Sequence, residues 1–224
     1  MRTFKKDCLL FSLLVTFILA SCSSSKNYYL QPDFKEKKVN SSVSVLPVWR
    51  SWVTSFPQHT FGSLTNTGKK VFESSLEPLF SRYTGNSALT FISAPESDST
   101  NFKISKLAIK GISIDVIIPK ENAQINTQNS STRFVVLLDQ FYFRELEKKA
   151  MSSTYAGQET GPQEVLYFET NYAYWDTENK KVVAWGKASK SELISNAPTE
   201  SDYSNLLSKV FKEIVNQGPV KVKP

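Results

Sequence analysis

The stretch TRFVVLLDQFYFRE, residues 132–145, is the strongest constraint on how this chain can fold. Phe134, Val135, Val136, Leu137 and Leu138 follow one another without a polar residue between them, so an extended backbone here is apolar on both faces. Such a strand belongs in the middle of a sheet covered on both sides, as in layered α/β folds. A sheet with one wet face would show strict alternation instead.

The remaining segments are compatible with that centre. SVSVLPV (42–48) and ALTFISA (88–94) read as strands, and ISIDVIIP (112–119) as a strand stopped by Pro119. NFKISKLAI (101–109) fits either a short helix or an edge strand. EVLYFETNYAYWDTENKKVVAWGKAS (164–189) predicts a hairpin turning near Glu178 and Asn179. Its register sets Trp175 against Val182, Tyr174 against Val183 and Tyr172 against Trp185. Strict alternation then puts Phe168, Tyr172, Tyr174, Val183 and Trp185 on one face, either as a seat for the last helix or, inverted, as a partner surface with Ala173, Ala184 and Gly186 under the helix. Residues 50–66 read as a loop, as does FRELEKKAMSS (143–153).

Two helices are expected. In 67–83, Phe72, Leu76, Leu79 and Tyr83 share a face, and Pro78 predicts a break near Glu77. In 200–219, Thr199 or Ser201 caps the start, and Tyr203, Leu206, Val210, Phe211 and Ile214 line one face. Gly218 and Pro219 end it. The expected architecture is a single α/β domain over residues 42–218. It has one mixed sheet of about five to six strands, helices packed on it, a carboxy-terminal helix and a tail at 219–224.

This element order resembles the amino-terminal domain of TolB and related domains of curli-secretion and penicillin-binding-protein-activator lipoproteins. The resemblance rests on the VSVLPV strand, the FVVLLDQFYF strand and the YAYWDTENKKVVAWGKA hairpin ahead of a final helix. It implies a fold and brings no functional residue with it.

The amino terminus carries a more local signal. Leu9 to Ala20 is an apolar run interrupted by Ser12 and Thr16 and preceded by Arg2, Lys5 and Lys6. It is too short for a bilayer-spanning helix, which needs about 20 apolar residues, and has the shape of a secretory signal. Leu19-Ala20-Ser21-Cys22 resembles the bacterial lipobox. That resemblance implies cleavage between Ser21 and Cys22 and a diacylglycerol thioether on Cys22, since only the thiol can carry that bond. Residues 1–21 are then the signal peptide and 22–41 a lipidated tether, with Lys35-Glu36-Lys37-Lys38 as solvated linker. Tyr28, Tyr29 and Leu30 are unusual in a linker and fit docking on the domain or the membrane surface. CSSSKNYYLQP just after the cleavage point is also similar to auxiliary lipoproteins of lipid-transport ABC systems. Serine after the cysteine resembles lipoproteins sorted to the periplasmic face of an outer membrane. The inner membrane's outer leaflet and the cell surface are the alternatives.

Cys8 leaves with the signal and Cys22 is alkylated on this reading, so neither a disulfide nor a free thiol is expected in the mature chain. Loss of Arg2, Lys5, Lys6 and Asp7 lowers the formal charge from +6 to +4, too mild a balance to argue for nucleic acid. His59 is the single histidine, poor material for a catalytic triad or a zinc site, and no glycine-rich phosphate loop is present. Asp115 and Asp139 interrupt apolar strands. Brought face to face they could perform acid–base hydrolysis, as of peptidoglycan; separately they are structural. The expectation is a non-catalytic binding or assembly lipoprotein without cofactor or metal, held to a membrane through Cys22 and meeting an envelope protein. The alternative is a carboxylate-dependent envelope hydrolase.

Overall fold

The computed structural model describes residues 27–41, 43–47, 78–80, 82–83, 89–91, 101–121, 123, 125, 132–148, 163–194 and 197–221. They form a mixed six-stranded sheet with a long carboxy-terminal helix on one face and a separate two-stranded hairpin on the other. The chain is an α/β protein, as the central apolar strand requires.

The strands are β1 (Tyr28–Leu30), β2 (Val43–Pro47), β3 (Leu89–Phe91), β4 (Phe102–Ile109), β5 (Ile112–Pro119), β6 (Phe134–Lys148), β7 (Gln163–Asp176) and β8 (Lys181–Ile194). The helices are α1 (Pro32–Glu36) and α2 (Glu200–Gln217), with a helical turn at 78–80. The sheet order is β1-β8-β7-β6-β2-β3, and β4 pairs with β5. β2 runs parallel to both β6 and β3; the other pairs are antiparallel.

β6 occupies the interior of the sheet and uses both of its apolar faces. Phe134, Val136 and Leu138 point toward α2, whereas Val135 and Leu137 meet the β4–β5 hairpin through Ile114, Val116 and Ile118. α2 starts at a reciprocal capping box: Thr199 and Asp202 each accept from the other's backbone N–H. Its buried residues Tyr203, Leu206, Leu207, Val210, Phe211, Ile214 and Val215 sit on Phe168, Tyr172 and Tyr174 of β7. Phe143 binds the layers together, at 4.6 Å from the Phe168 ring and edge-on to Tyr203 at 5.1 Å. Of the earlier predicted helix, Leu79 and Tyr83 do pack on this core, and Phe80 is buried 4.5 Å from Phe211. Phe72, Leu76 and Glu77 lie outside the described residues.

Two bulges correct the expected alternation. Between Asp139 and Tyr142, β6 advances three residues while β7 advances two, from Asn171 to Glu169. Even-numbered residues of β6 face α2 before this point, and the odd-numbered Phe143 does so after it. In β8, Val183 is the extra residue: Trp175 pairs with Val182 as expected, but Tyr174 pairs with Ala184 and Tyr172 with Gly186. Val183 and Ala184 both turn toward α2, so the parity flips and Trp185 emerges on the face of the β4–β5 hairpin.

The domain boundaries shift as well. Most of the segment read as tether is built into the fold: β1 pairs with β8, Leu30 and Phe34 are buried, and Val39 bridges to Val220. The domain therefore includes residues from Asn27 onward rather than only from residue 42, and Val220 of the expected tail is 1% exposed. The ambiguous 101–109 is strand β4. Residues 143–148, read as the start of a loop, extend β6 opposite 163–168 of β7.

Candidate functional site

The amino-terminal segment, the β4–β5 turn and the end of α2 meet at one corner of the molecule. β1 lies along β8 with Tyr28 opposite Gly186, Tyr29 opposite Trp185 and Leu30 opposite Ala184. A side chain at position 186 would strike the Tyr172 hydroxyl, Tyr28 Cβ and Asn27 O, all within 3 Å, so glycine is what admits β1 to this edge. Alternation sends Leu30 into the core and Tyr29 outward, where its ring stacks on Trp185 at 4.1 Å. Gln31 N–H donates to Val183 O, and Pro32 opens α1, with its fixed φ suiting the first helical position. Phe34 anchors α1 edge-on to Phe134 at 5.7 Å.

Three lysines border this corner. Lys35 stands 5.8 Å from the centre of the Tyr29 ring. Lys38 is half-buried and donates to Asn216 O at 2.6 Å, beside the carboxy-terminal end of α2, where the helix dipole favours a cation. Lys110 sits at the β4–β5 turn, where it and Gly111 have φ of 43° and 90°. The Trp185 indole Nε1–H donates to Ala108 O at 3.1 Å and fixes this turn beside β1. The three lysines, Tyr28, Tyr29 and Asn216 line much of a hollow of about 540 Å³. Among the described residues no carboxylate lines it, and none of the three lysines forms an ion pair. Burial holds the Lys38 pKa below the usual lysine value. An uncompensated cationic hollow with an aromatic wall is suited to an anion carrying some apolar surface.

The two strand aspartates play other roles. Asp139 is fully buried, and its carboxylate accepts from the Ile117 N–H at 3.1 Å, tying β5 to the bulged part of β6. Asp115 is exposed on β5 opposite Lys106, and its carbonyl accepts from Asn171 Nδ2 at 3.2 Å. It borders a separate hollow of about 310 Å³ with Lys106, Asn171 and Lys187, which Asp139 does not line. Asp139 is thus engaged inside the sheet, and Asp115 stands on the open surface of the β4–β5 hairpin. Ser21, Cys22 and His59 lie outside the described residues. Among the described residues, no three or more His, Cys, Asp or Glu side chains cluster as metal ligands.

Sequence reasoning passed over the lysine hollow because it treated Lys35 to Lys38 as linker. Two signals pointed to it: the apolar Tyr28-Tyr29-Leu30 ahead of Pro32, and the Lys110-Gly111 pair between two strand patterns.

Trp185→Ala tests this corner. It removes one aromatic stack, one hydrogen bond and part of the packing of a half-buried ring, so the loss should be about 1–3 kcal/mol, read as a Tm lowered by a few degrees. Outright unfolding would mean that Trp185 is a core residue after all.

No family model matches the chain, and no curated protein matches it. Several solved structures are similar at low identity. A PelC dodecamer from Paraburkholderia phytofirmans aligns at 12% identity over 82% of this chain and 90% of that one, with a TM-score of 0.36. Protein XCC0632 from Xanthomonas campestris aligns at 13% identity over 80% and 83%, with a TM-score of 0.38. The hypothetical protein CT253 from Chlamydia trachomatis aligns at 11% identity over 78% and 94%, also with a TM-score of 0.38. At these scores the likenesses carry no functional argument.

Proposed function

We propose that this protein is a lipid-anchored accessory module of the cell envelope. It is held through Cys22 on the periplasmic face of an outer membrane, and it binds or assembles with another envelope component rather than catalysing a reaction. The observation that carries the reading is where the fold begins: β1 starts at Tyr28, six residues after Cys22, and is sewn to β8. An acyl anchor at Cys22 would hold such a domain against the bilayer, without a long spacer. Three interior polar groups support the non-catalytic part, because they are engaged in holding the fold. Asp139 secures β5, and the Tyr174 and Tyr172 hydroxyls donate to Ile214 O and Gln217 Oε1 of α2. Burial raises the pKa of both tyrosines, so they remain neutral donors.

The test is metabolic labelling. Radiolabelled fatty acid should enter the wild-type chain and be absent from Cys22→Ala, which should also leave the membrane fraction or accumulate uncleaved. Label persisting in the alanine variant, or cleavage at another position, would overturn the anchor.

A further inference from the structure

We infer that the hollow formed by Lys35, Lys38 and Lys110 with Tyr28 and Tyr29 binds the phosphodiester of an anionic membrane lipid, in the same bilayer that holds the anchor. This rests on the lipid-anchor reading and deepens it from attachment to recognition of a head group.

Charge is the first argument. Three lysines line a concave site where, among the described residues, no carboxylate joins them, and half-buried Lys38 donates to the neutral Asn216 carbonyl. A partly buried cation without a counter-ion is costly, and a phosphate supplies both the missing charge and several acceptor oxygens. Burial lowers the Lys38 pKa, the direction expected of a cation awaiting an anion. Shape is the second. The Tyr28 and Tyr29 rings give the lysines an amphipathic wall that matches the glycerol and first methylenes of a lipid better than a bare ion. Position is the third. Four residues, Ser23 to Lys26, lie between Cys22 and Asn27, the residue that precedes β1, and the fully extended reach from Cys22 to Asn27 is at most about 18 Å. A domain so tethered keeps the corner carrying Tyr28 and Tyr29 at head-group level, where a basic cluster meets anionic lipid.

The experiment uses the full chain, processed by the cell and reconstituted in nanodiscs of phosphatidylcholine with or without phosphatidylglycerol. The rate at which an amine-reactive reagent labels each lysine is read by peptide mass spectrometry. Lys103, exposed at the opposite end of β4, is the internal control. Phosphatidylglycerol should slow labelling of Lys35, Lys38 and Lys110 by about tenfold, as for a site nine-tenths occupied, and leave Lys103 unchanged. Lys35→Gln combined with Lys110→Asn changes two exposed positions, and asparagine tolerates the positive φ at 110. That variant should lose the protection of Lys38 while its melting temperature stays the same. Protection of Lys38 retained in the variant would overturn the site. Equal protection from inorganic phosphate on phosphatidylcholine discs would make it a soluble-phosphate site and overturn the lipid assignment. No protection while the chain stays on phosphatidylcholine discs overturns the site and leaves the anchor intact. Loss of the chain from those discs sinks the anchor instead; the same labelling on phosphatidylglycerol vesicles then judges the hollow alone, protection upholding it and its absence overturning it.

Discussion

A chain beginning at Asn40 should fail to fold cooperatively, whereas one beginning at Asn27 should melt in a single transition. The shorter chain lacks β1, α1 and the Val39–Val220 bridge. It therefore leaves the edge of β8 unpaired, strips Tyr29 from the Trp185 ring and empties the places of Leu30 and Phe34, which are 4% and 8% exposed. Truncating one buried leucine costs about 2–5 kcal/mol and one phenylalanine about 3–5 kcal/mol. Together they approach the whole stability of an ordinary domain, about 5–15 kcal/mol. Thermal unfolding followed by circular dichroism decides the matter. The expected drop in Tm is at least about 10 °C for a chain of this size, with loss of the sharp transition as the extreme. Two curves within a few degrees of each other would show that the amino-terminal segment is an appendage.

The second large effect is expected at Asp176, which closes the β7–β8 turn. Its side chain is fully buried and takes the Arg133 guanidinium at 3.0 Å, the backbone N–H groups of Glu178 and Asn179 at 3.0 and 3.3 Å, and Asn179 Nδ2 at 2.8 Å. Arg133 in turn lies 5.1 Å from the Phe134 ring centre and 5.9 Å from that of Phe34. The turn, the central strand and α1 thus share one charged pair. Asp176→Ala leaves those donors without their acceptor. The cost should be about 3 kcal/mol, the low end for breaking a buried pair, because Arg133 is partly exposed and keeps Glu178 at 3.1 Å.

The same residue gives a pH dependence of known sign. Burial alone would raise the Asp176 pKa, but hydrogen bonds from Arg133 and Asn179 outweigh it and hold the carboxyl below its usual range. A carboxylate more acidic in the folded state contributes stability that is complete above its unfolded pKa of about 3.9 and disappears as pH falls through the folded value. Urea unfolding should therefore show a constant gap between wild type and Asp176→Asn near neutrality. That gap should narrow steadily from roughly pH 5 downward. A gap that persists unchanged into strong acid would remove the ion pair as its cause.

Much of this fold was legible in the chain because its signals are local. The uninterrupted apolar run in β6 placed that strand in the sheet interior, and the 3.6-residue spacing with Thr199 ahead of it marked α2 nearly to the residue. The Glu178-Asn179 turn was found for the same reason, since the flanking apolar patterns and the polar residues between them specify it without help from elsewhere. The site was far less legible. Its lysines come from three segments distant in sequence, and each alone looks like solvated surface.

What the sequence determined by itself is the central strand, the β7–β8 hairpin, the carboxy-terminal helix and the layered α/β class, since periodicity and capping are properties of neighbouring residues. Tertiary structure alone decided three further things. β1 joins the sheet by pairing with a strand more than 150 residues away, which no local pattern records. The bulges at Val183 and after Asp139 reverse the side-chain parity of their strands, so Trp185 faces the hairpin and not the helix. Lys35, Lys38 and Lys110 gather at one corner only because Gly186 lets β1 lie close and the Trp185 indole holds the β4–β5 turn beside it. The physical reason is common to all three: a one-residue slip or a long-range pairing costs little locally, and its outcome is chosen by burial across the whole sheet.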